Sequence, residues 1–444
     1  MRFETTYKLE DFILNTRWED LPAPVQERMR GCFLDLMGAL LIGSRSDQFQ
    51  VGLRLAKTLY GSGQIPVIGA KETFNFMGAS CAMGHSSNAY DIDDGHNLIR
   101  AHPGTSFIGA LLAAAYEKNV SRNELLTAML VSYETTIRSG AAIMEYYNHP
   151  HSSGTFGAVG VAAGVGRLYG FDRTQLNNAL SVADFNAPLV PGIRSVEYPS
   201  MNKDGVPFGV MIGALAIMET LCGFEGNKNL LEADDYKHYL DDLGEKYEVM
   251  ELYFKPYTCC RWAHPVIDAC IGLKEQYGLT PDRIRKVTVQ TFHRATLLSK
   301  IVPKTADEAQ YNIAYPVAAA LLYNDFGYAQ VCKENLGDPQ VVAMMEKLSF
   351  ETDPQLDAQF PARRICRVQI ETTEGEIYTS AECEPRGEAC ENIGFDWLAD
   401  KFRRIAAPVM NPAGIEKIIG LLASPEDVPI RQIVDAANDP AYQL

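Results

Sequence analysis

The chain has 444 residues, 47% hydrophobic and 22% charged, with a formal net charge of −16. That length is too great for one core of ordinary size, so two domains are expected, and the composition excludes a disordered chain. So much negative charge argues against nucleic acid or an anionic membrane surface as partner, while a local group of Lys, Arg and His still admits a small anionic ligand.

The N-terminus, Met1-Arg-Phe-Glu-Thr-Thr-Tyr-Lys8, is polar and lacks the apolar stretch of a secretion signal. No apolar run reaches the ~20 residues that a spanning helix needs. The ten cysteines are scattered, and none stands in a C-x-x-C pair or at zinc-like spacing. A cytoplasmic protein with reduced thiols and no membrane partner is the expectation.

The first half reads as helix after helix. Over residues 22–42, Val25, Met29, Cys32, Phe33, Leu36 and Leu40 recur at helical spacing. Helices are also expected over 105–116 and over 123–144, the second behind Ser121 as N-cap. Residues 155–169 carry Gly157, Gly160, Gly164 and Gly166 among Ala and Val, which predicts a helix packed closely on its neighbours. No G-x-G-x-x-G follows a strand, so no dinucleotide site is expected. Helices over 174–184 and 206–221 complete this half.

Near residue 252 the character changes. Residues 285–291 alternate like a half-buried strand, and 365–372 and 376–381 form a hairpin pattern through Thr373-Glu374-Gly375. Helical runs at 314–323, 328–332 and 339–348 lie between them, and 395–407 and 414–422 return to helix. The expected fold is mainly α. A large all-helical domain is built from both chain ends, 1–251 and 387–444, with an inserted α+β lid domain over 252–386.

Chemistry concentrates in five segments. Between Asn88 and His102 lie Asp91, Asp93, Asp94, His96 and Arg100, wedged between apolar stretches. Charges buried there must pair or shift their pKa values, which is common at functional sites. His149 and His151 precede the glycine-rich helix, whose positive end favours neutral imidazole. Lys203 stands before the helix over 206–221, a place suited to an anion. Lys255, Arg261, Trp262 and His264 lead into an apolar helix at the domain junction, where ligand clefts are common. Tyr311 and Tyr315 flank the start of another helix. H-E-x-x-H and G-x-S-x-G are both absent. A metal site from His96, His102 and Asp94 is disfavoured because neighbouring Lys and Arg compete for the carboxylates, so no metal is expected.

With these segments in this order, the chain resembles the MmgE/PrpD family, which includes 2-methylcitrate dehydratases, cis-aconitate decarboxylases and iminodisuccinate epimerases. The likeness runs from about residue 10 to 430. It rests on Asp91-Ile-Asp93-Asp94 with His102-Pro-Gly104, on His151-Ser-Ser-Gly-Thr155, on the segment from Lys255 to Asp268, and on Tyr311-Asn-Ile-Ala-Tyr315. The chain departs from the pattern at Asn88, where many members carry His, at Gly95, where Thr is frequent, and around Lys203.

The resemblance implies a cofactor-independent lyase of the dehydratase type that moves a proton at a carbon next to a carboxylate of a small di- or tricarboxylate. By that likeness Asp91, His102, His151, Lys203, Lys255, His264 and Tyr315 line the family's cleft; by their chemistry His102 and His151 are the base and acid candidates, Asp91 could orient an imidazole and Tyr315 could donate to developing charge. Lys203, Lys255 and His264 would bind substrate, and Arg261 by its charge could join the lysines in clamping carboxylates. It also implies a homodimer formed through the helical domain. Three alternatives stay open: an epimerase or isomerase of an iminodisuccinate-like dicarboxylate, a cis-aconitate-type decarboxylase, and a non-catalytic carboxylate-binding protein on the same scaffold.

Overall fold

Helices dominate because apolar residues recur every three or four positions over long stretches with few interruptions. In a computed structural model, which describes residues 1–3 and 6–444, long helices run over Ala23–Gly43, Thr105–Lys118, Arg122–Tyr147, Ser153–Leu168 and Val206–Leu221. Ser121 caps the third of these by accepting the Glu124 N–H. The glycine-rich helix Ser153–Leu168 packs on Thr105–Lys118, Arg122–Tyr147 and Val206–Leu221. Its glycines permit this approach: a Cβ at Gly157, Gly160 or Gly164 would collide with Ser106, Thr136 or Ser132.

The chain ends meet. The late helix Phe395–Ala406 lies along Ala23–Gly43, with Leu398 and Phe402 set against Gly31 and Gly38. Between the two helices the buried Lys401 ammonium stands 2.5 Å from Asp35 and donates to the Ile92 carbonyl at 2.6 Å. The C-terminal return therefore supports the Asp91–Asp94 segment from below.

The largest sheet has four strands, in the order Leu348–Thr352, Ile284–Thr291, Cys366–Thr372, Ile377–Thr379. The first pair is parallel and the others are antiparallel. Cys366, Val368 and Ile370 face inward, as their alternation predicts, and the strand packs against the helix His264–Tyr277. The helix expected over 339–348 ends at Met345, and Leu348–Thr352 is an edge strand instead. Five residues give too short an alternation to separate from a helix end. The helices Lys8–Asn15, Asp47–Leu59, Phe76–Ser86 and Ile430–Asn438 lay outside the expected set.

Two short pairings place the site. Gly95–His96 pairs antiparallel with Leu252–Tyr253, which ties the polar Asp91–His102 segment to the point where the sequence changes character. His151 bridges to Pro191 at the start of the glycine-rich helix. All ten cysteines are free thiols. Among the described residues no helix is long and apolar enough to cross a membrane.

Candidate active site

The segment joining the helices Phe76–Ser86 and Thr105–Lys118 is buried from Ser86 to His96. Its three aspartates are each at most 1% exposed. Carboxylates this deep need partners, and each finds a different one. Asp94 accepts the Gly104 N–H at 3.0 Å and the Tyr133 hydroxyl. A Cβ at position 104 would strike both Asp94 and Tyr133, which explains the glycine after Pro103. Burial, aided by Asp35, pushes the Asp94 carboxyl up to about 7.

Asp93 accepts from the Asn88 amide at 2.8 Å and the Thr105 hydroxyl at 3.1 Å, and its Oδ2 lies 2.8 Å from His102 Nδ1. Burial works to raise this carboxyl, but the charge and hydrogen bond of His102 outweigh it and hold it at about 2. For His102 the balance reverses. Burial and the Lys255 ammonium depress the imidazole, yet Asp93 and Asp91 overcome them and leave it at about 8.

Neighbouring helices fix the imidazole. The His102 N–H donates to Ser153 Oγ at 2.9 Å, and its carbonyl accepts the Ser106 hydroxyl at 2.7 Å. With Nδ1 on Asp93, Nε2 faces Asp91 at 3.4 Å and Asp204 at 3.7 Å. Asp91 has left-handed backbone, φ 52°, a conformation unusual for a non-glycine residue and frequent at active sites. Its carboxylate meets the Lys255 ammonium at 2.7 Å. The Tyr311 hydroxyl donates to Asp204 at 3.2 Å, and burial raises the Asp204 carboxyl above its usual range.

A cavity of about 260 Å³ opens on this group. Five of the expected residues line it: Asp91, His102, His151, Lys255 and Arg261. Burial, then repulsion from His149, lowers His151 below the ordinary imidazole value, the direction expected at a helix start. Cys260 also lines the cavity, but burial pushes its thiol up to about 12, so it carries no thiolate at neutral pH.

Three expected residues lie elsewhere. Lys203, 4% exposed, donates to the carbonyls of Asn88, at 2.9 Å, and Ala89, and to Gln310 Oε1 at 2.6 Å. It anchors the backbone beside Asp91 and is no part of the cavity wall. His264 is wholly buried with Nε2 3.0 Å from the Cys259 carbonyl oxygen, and burial drives its pKa well below the usual range. It is a neutral core imidazole. Tyr315 donates to the carbonyls of Gln330 and Asn335 at 3.2 and 3.3 Å, and the phenols that line the cavity are Tyr253 and Tyr311. Tyr315 sits in the first turn of the helix Ala314–Tyr323, whose buried face turns it inward, whereas Tyr311 precedes that helix.

Asp93, Asp204, Tyr253 and Arg364 were missed as site residues. Asp93 and Asp204 carried a signal, one in the acidic run and the other beside Lys203. The departures at Asn88 and Gly95 have local reasons. Asn88 holds Asp93, and the Tyr253 ring fills the space a side chain at 95 would need. Asp91, His102 and Asp204 present atoms within 4.8 Å of one another, as metal ligands would. The Lys255 ammonium already supplies a positive charge to Asp91, so this donor set is poorly suited to a divalent cation.

The MmgE/PrpD N-terminal domain model matches residues 7–240, and the MmgE/PrpD C-terminal domain model matches residues 257–423. No curated protein gives a significant match. Two domain models in order along nearly the whole chain show that it belongs to the MmgE/PrpD family, which includes hydro-lyases such as 2-methylcitrate dehydratase.

Proposed function

We propose that the protein is a cofactor-independent lyase of the dehydratase type, acting on a small di- or tricarboxylate. The observation that carries this reading is that two imidazoles on one cavity are pushed in opposite directions, His102 up to about 8 and His151 down. Paired groups with separated pKa values mark an acid and a base. At neutral pH His151 is the base and His102, as imidazolium, is the acid.

His151 takes the proton from the carbon next to a substrate carboxylate, and the charge moves into that carboxylate as an enediolate. Cationic groups on the cavity wall stabilise it. His102 delivers its proton from Nε2 to the hydroxyl on the adjacent carbon. The C–O bond breaks, water leaves, and the carbon–carbon double bond forms. Solvent then returns the proton from His151 to His102. Residues 252–386 act as a lid domain that excludes water during the step.

The test is turnover in D₂O with 2-methylcitrate, citrate, cis-aconitate and iminodisuccinate. Loss of water from one of the hydroxy acids is the expected result. Deuterium wash-in with no other mass change would assign epimerisation instead, and CO₂ release decarboxylation. Neither exchange nor turnover with any of them would overturn the enzymatic reading.

We also infer a homodimer. The helix Val206–Leu221 leaves an apolar stripe in which Phe208 and Leu215 are 61 and 42% exposed, with Met211, Ile212 and Met218 half-buried on the same face. A stripe at helical spacing on an otherwise packed helix fits a second copy of the chain.

A further inference from the structure

The two lysines nearest His102 have no reach to spare for the far end of a substrate. Lys255 is paired with Asp91, and Lys203 is spent on backbone carbonyls. A carboxylate far from His102 must therefore be met by other charges on the cavity wall, and two buried guanidiniums stand out. Arg261 and Arg364 both line the cavity and are 4% and 6% exposed.

Their charge balance is incomplete. Arg261 lies over the Tyr253 ring, 3.6 Å from its centroid, and its Nη2 meets Glu388 Oε1. Its Nε and Nη1 are buried with no hydrogen-bond acceptor among the described residues. The second oxygen of Glu388 accepts the Asn97 amide at 3.1 Å, and Asn97 Oδ1 accepts from Arg364 at 2.8 Å. Two guanidiniums thus share one carboxylate, and Arg364 reaches it only through a neutral amide. Burial lowers the pKa of Arg364, and the nearby Arg261 acts in the same direction. A buried positive charge without a matching anion is costly, and a carboxylate that fits the guanidinium fork would relieve it.

The surroundings give a direction to this demand. Arg364 and Glu388 also border an outer cleft, but there Glu248, Glu251, Glu384, Glu388 and Glu391 outnumber Lys246, Arg363 and Arg364, and the net negative lining disfavours anions. The inner cavity does not. Tyr253, Lys255, Arg261 and Arg364 line it together, so the arginine pair shares one cavity with the acid–base group.

We propose that Arg261 and Arg364 form a second anion subsite that selects substrates by a carboxylate remote from the reacting carbon. The proposal rests on the lyase reading for the nature of the substrate, and it makes Arg364 a specificity-determining residue. Acids with a second carboxylate bind, and monocarboxylates of the same length do not.

Calorimetric titration of the full chain with tricarballylate, succinate and butyrate tests it. Wild type binds the first two about tenfold or more tighter than butyrate, the scale of one charge-assisted hydrogen-bonded contact. Arg364→Gln and Arg261→Gln lose most of that preference while butyrate binding stays as it was. Arg364→Lys keeps the buried charge, and so the fold, but loses the fork and part of the preference. Wild-type discrimination retained in folded Arg364→Gln and Arg364→Lys overturns the subsite. Because the readout is binding, its failure is distinct from that of the lyase reading. Arginine-dependent discrimination without turnover of any acid would uphold the subsite and overturn the lyase alone.

Discussion

Asp93 Oδ2 and His102 Nδ1 stand 2.8 Å apart, and this contact decides which imidazole nitrogen faces the cavity. The carboxylate holds the ring and favours its charged form. Asp93→Asn keeps the shape and removes the charge. We expect kcat to fall by ~10²–10⁴, the usual worth of a positioned acid or base. The alkaline limb of the pH–rate profile should move below 8, because a cause that raises His102 is gone. An unmoved limb would show that His102 is not the acid.

The profile itself should be bell-shaped. His151 must be neutral, and its pKa is lowered from 6.5, so activity rises through a range below that value. His102 must be protonated, so activity falls as pH passes about 8. Steady-state rates between pH 5 and 9 check both limbs. A profile that keeps rising past pH 9 would show that protonated His102 takes no part in the step.

Lys203 serves the fold. Lys203→Ala leaves two carbonyls and a side-chain amide without their donor in a buried place. Loss of one partner from such a group costs on the order of 3 kcal/mol. Thermal unfolding should show a drop of several degrees, which a lysine used only for substrate would not cause.

Asp94 links pH to stability. Its carboxyl is raised from 3.8 to about 7, so the folded state favours the neutral acid. That contribution is complete below about pH 4 and is lost as pH rises to 7. Asp94→Asn stays neutral throughout. The difference in melting temperature, variant minus wild type, should grow from pH 4.5 to 7 and then level off. A difference independent of pH would place Asp94 among ordinary surface-like carboxylates.

Phe208→Glu puts a charge in the exposed stripe of Val206–Leu221. Light scattering after size exclusion should show a dimer for wild type and a monomer for the variant. A wild-type monomer at micromolar concentration would remove the proposed interface.

Much of the architecture was legible in the residue pattern. Helical spacing of apolar residues located the long helices, and alternation located Ile284–Thr291 and Cys366–Thr372, because burial of one face imposes a period that sequence carries directly. The short edge strand Leu348–Thr352 left too few residues for a period to appear. At the site, residue chemistry singled out Asp91, His102, His151, Lys255 and Arg261, since charged groups next to apolar runs are conspicuous. What the chain order could not disclose was direction. Tyr311 and Tyr315 lie four residues apart and Lys203 adjoins Asp204, yet in each pair only one lines the cavity. Side-chain direction, the pairing of Asp93 with His102, and the single carboxylate shared by Arg261 and Arg364 arise from contacts between segments far apart in sequence. Only folding brings those segments within hydrogen-bond range, and only then do burial and neighbouring charge set each group's protonation.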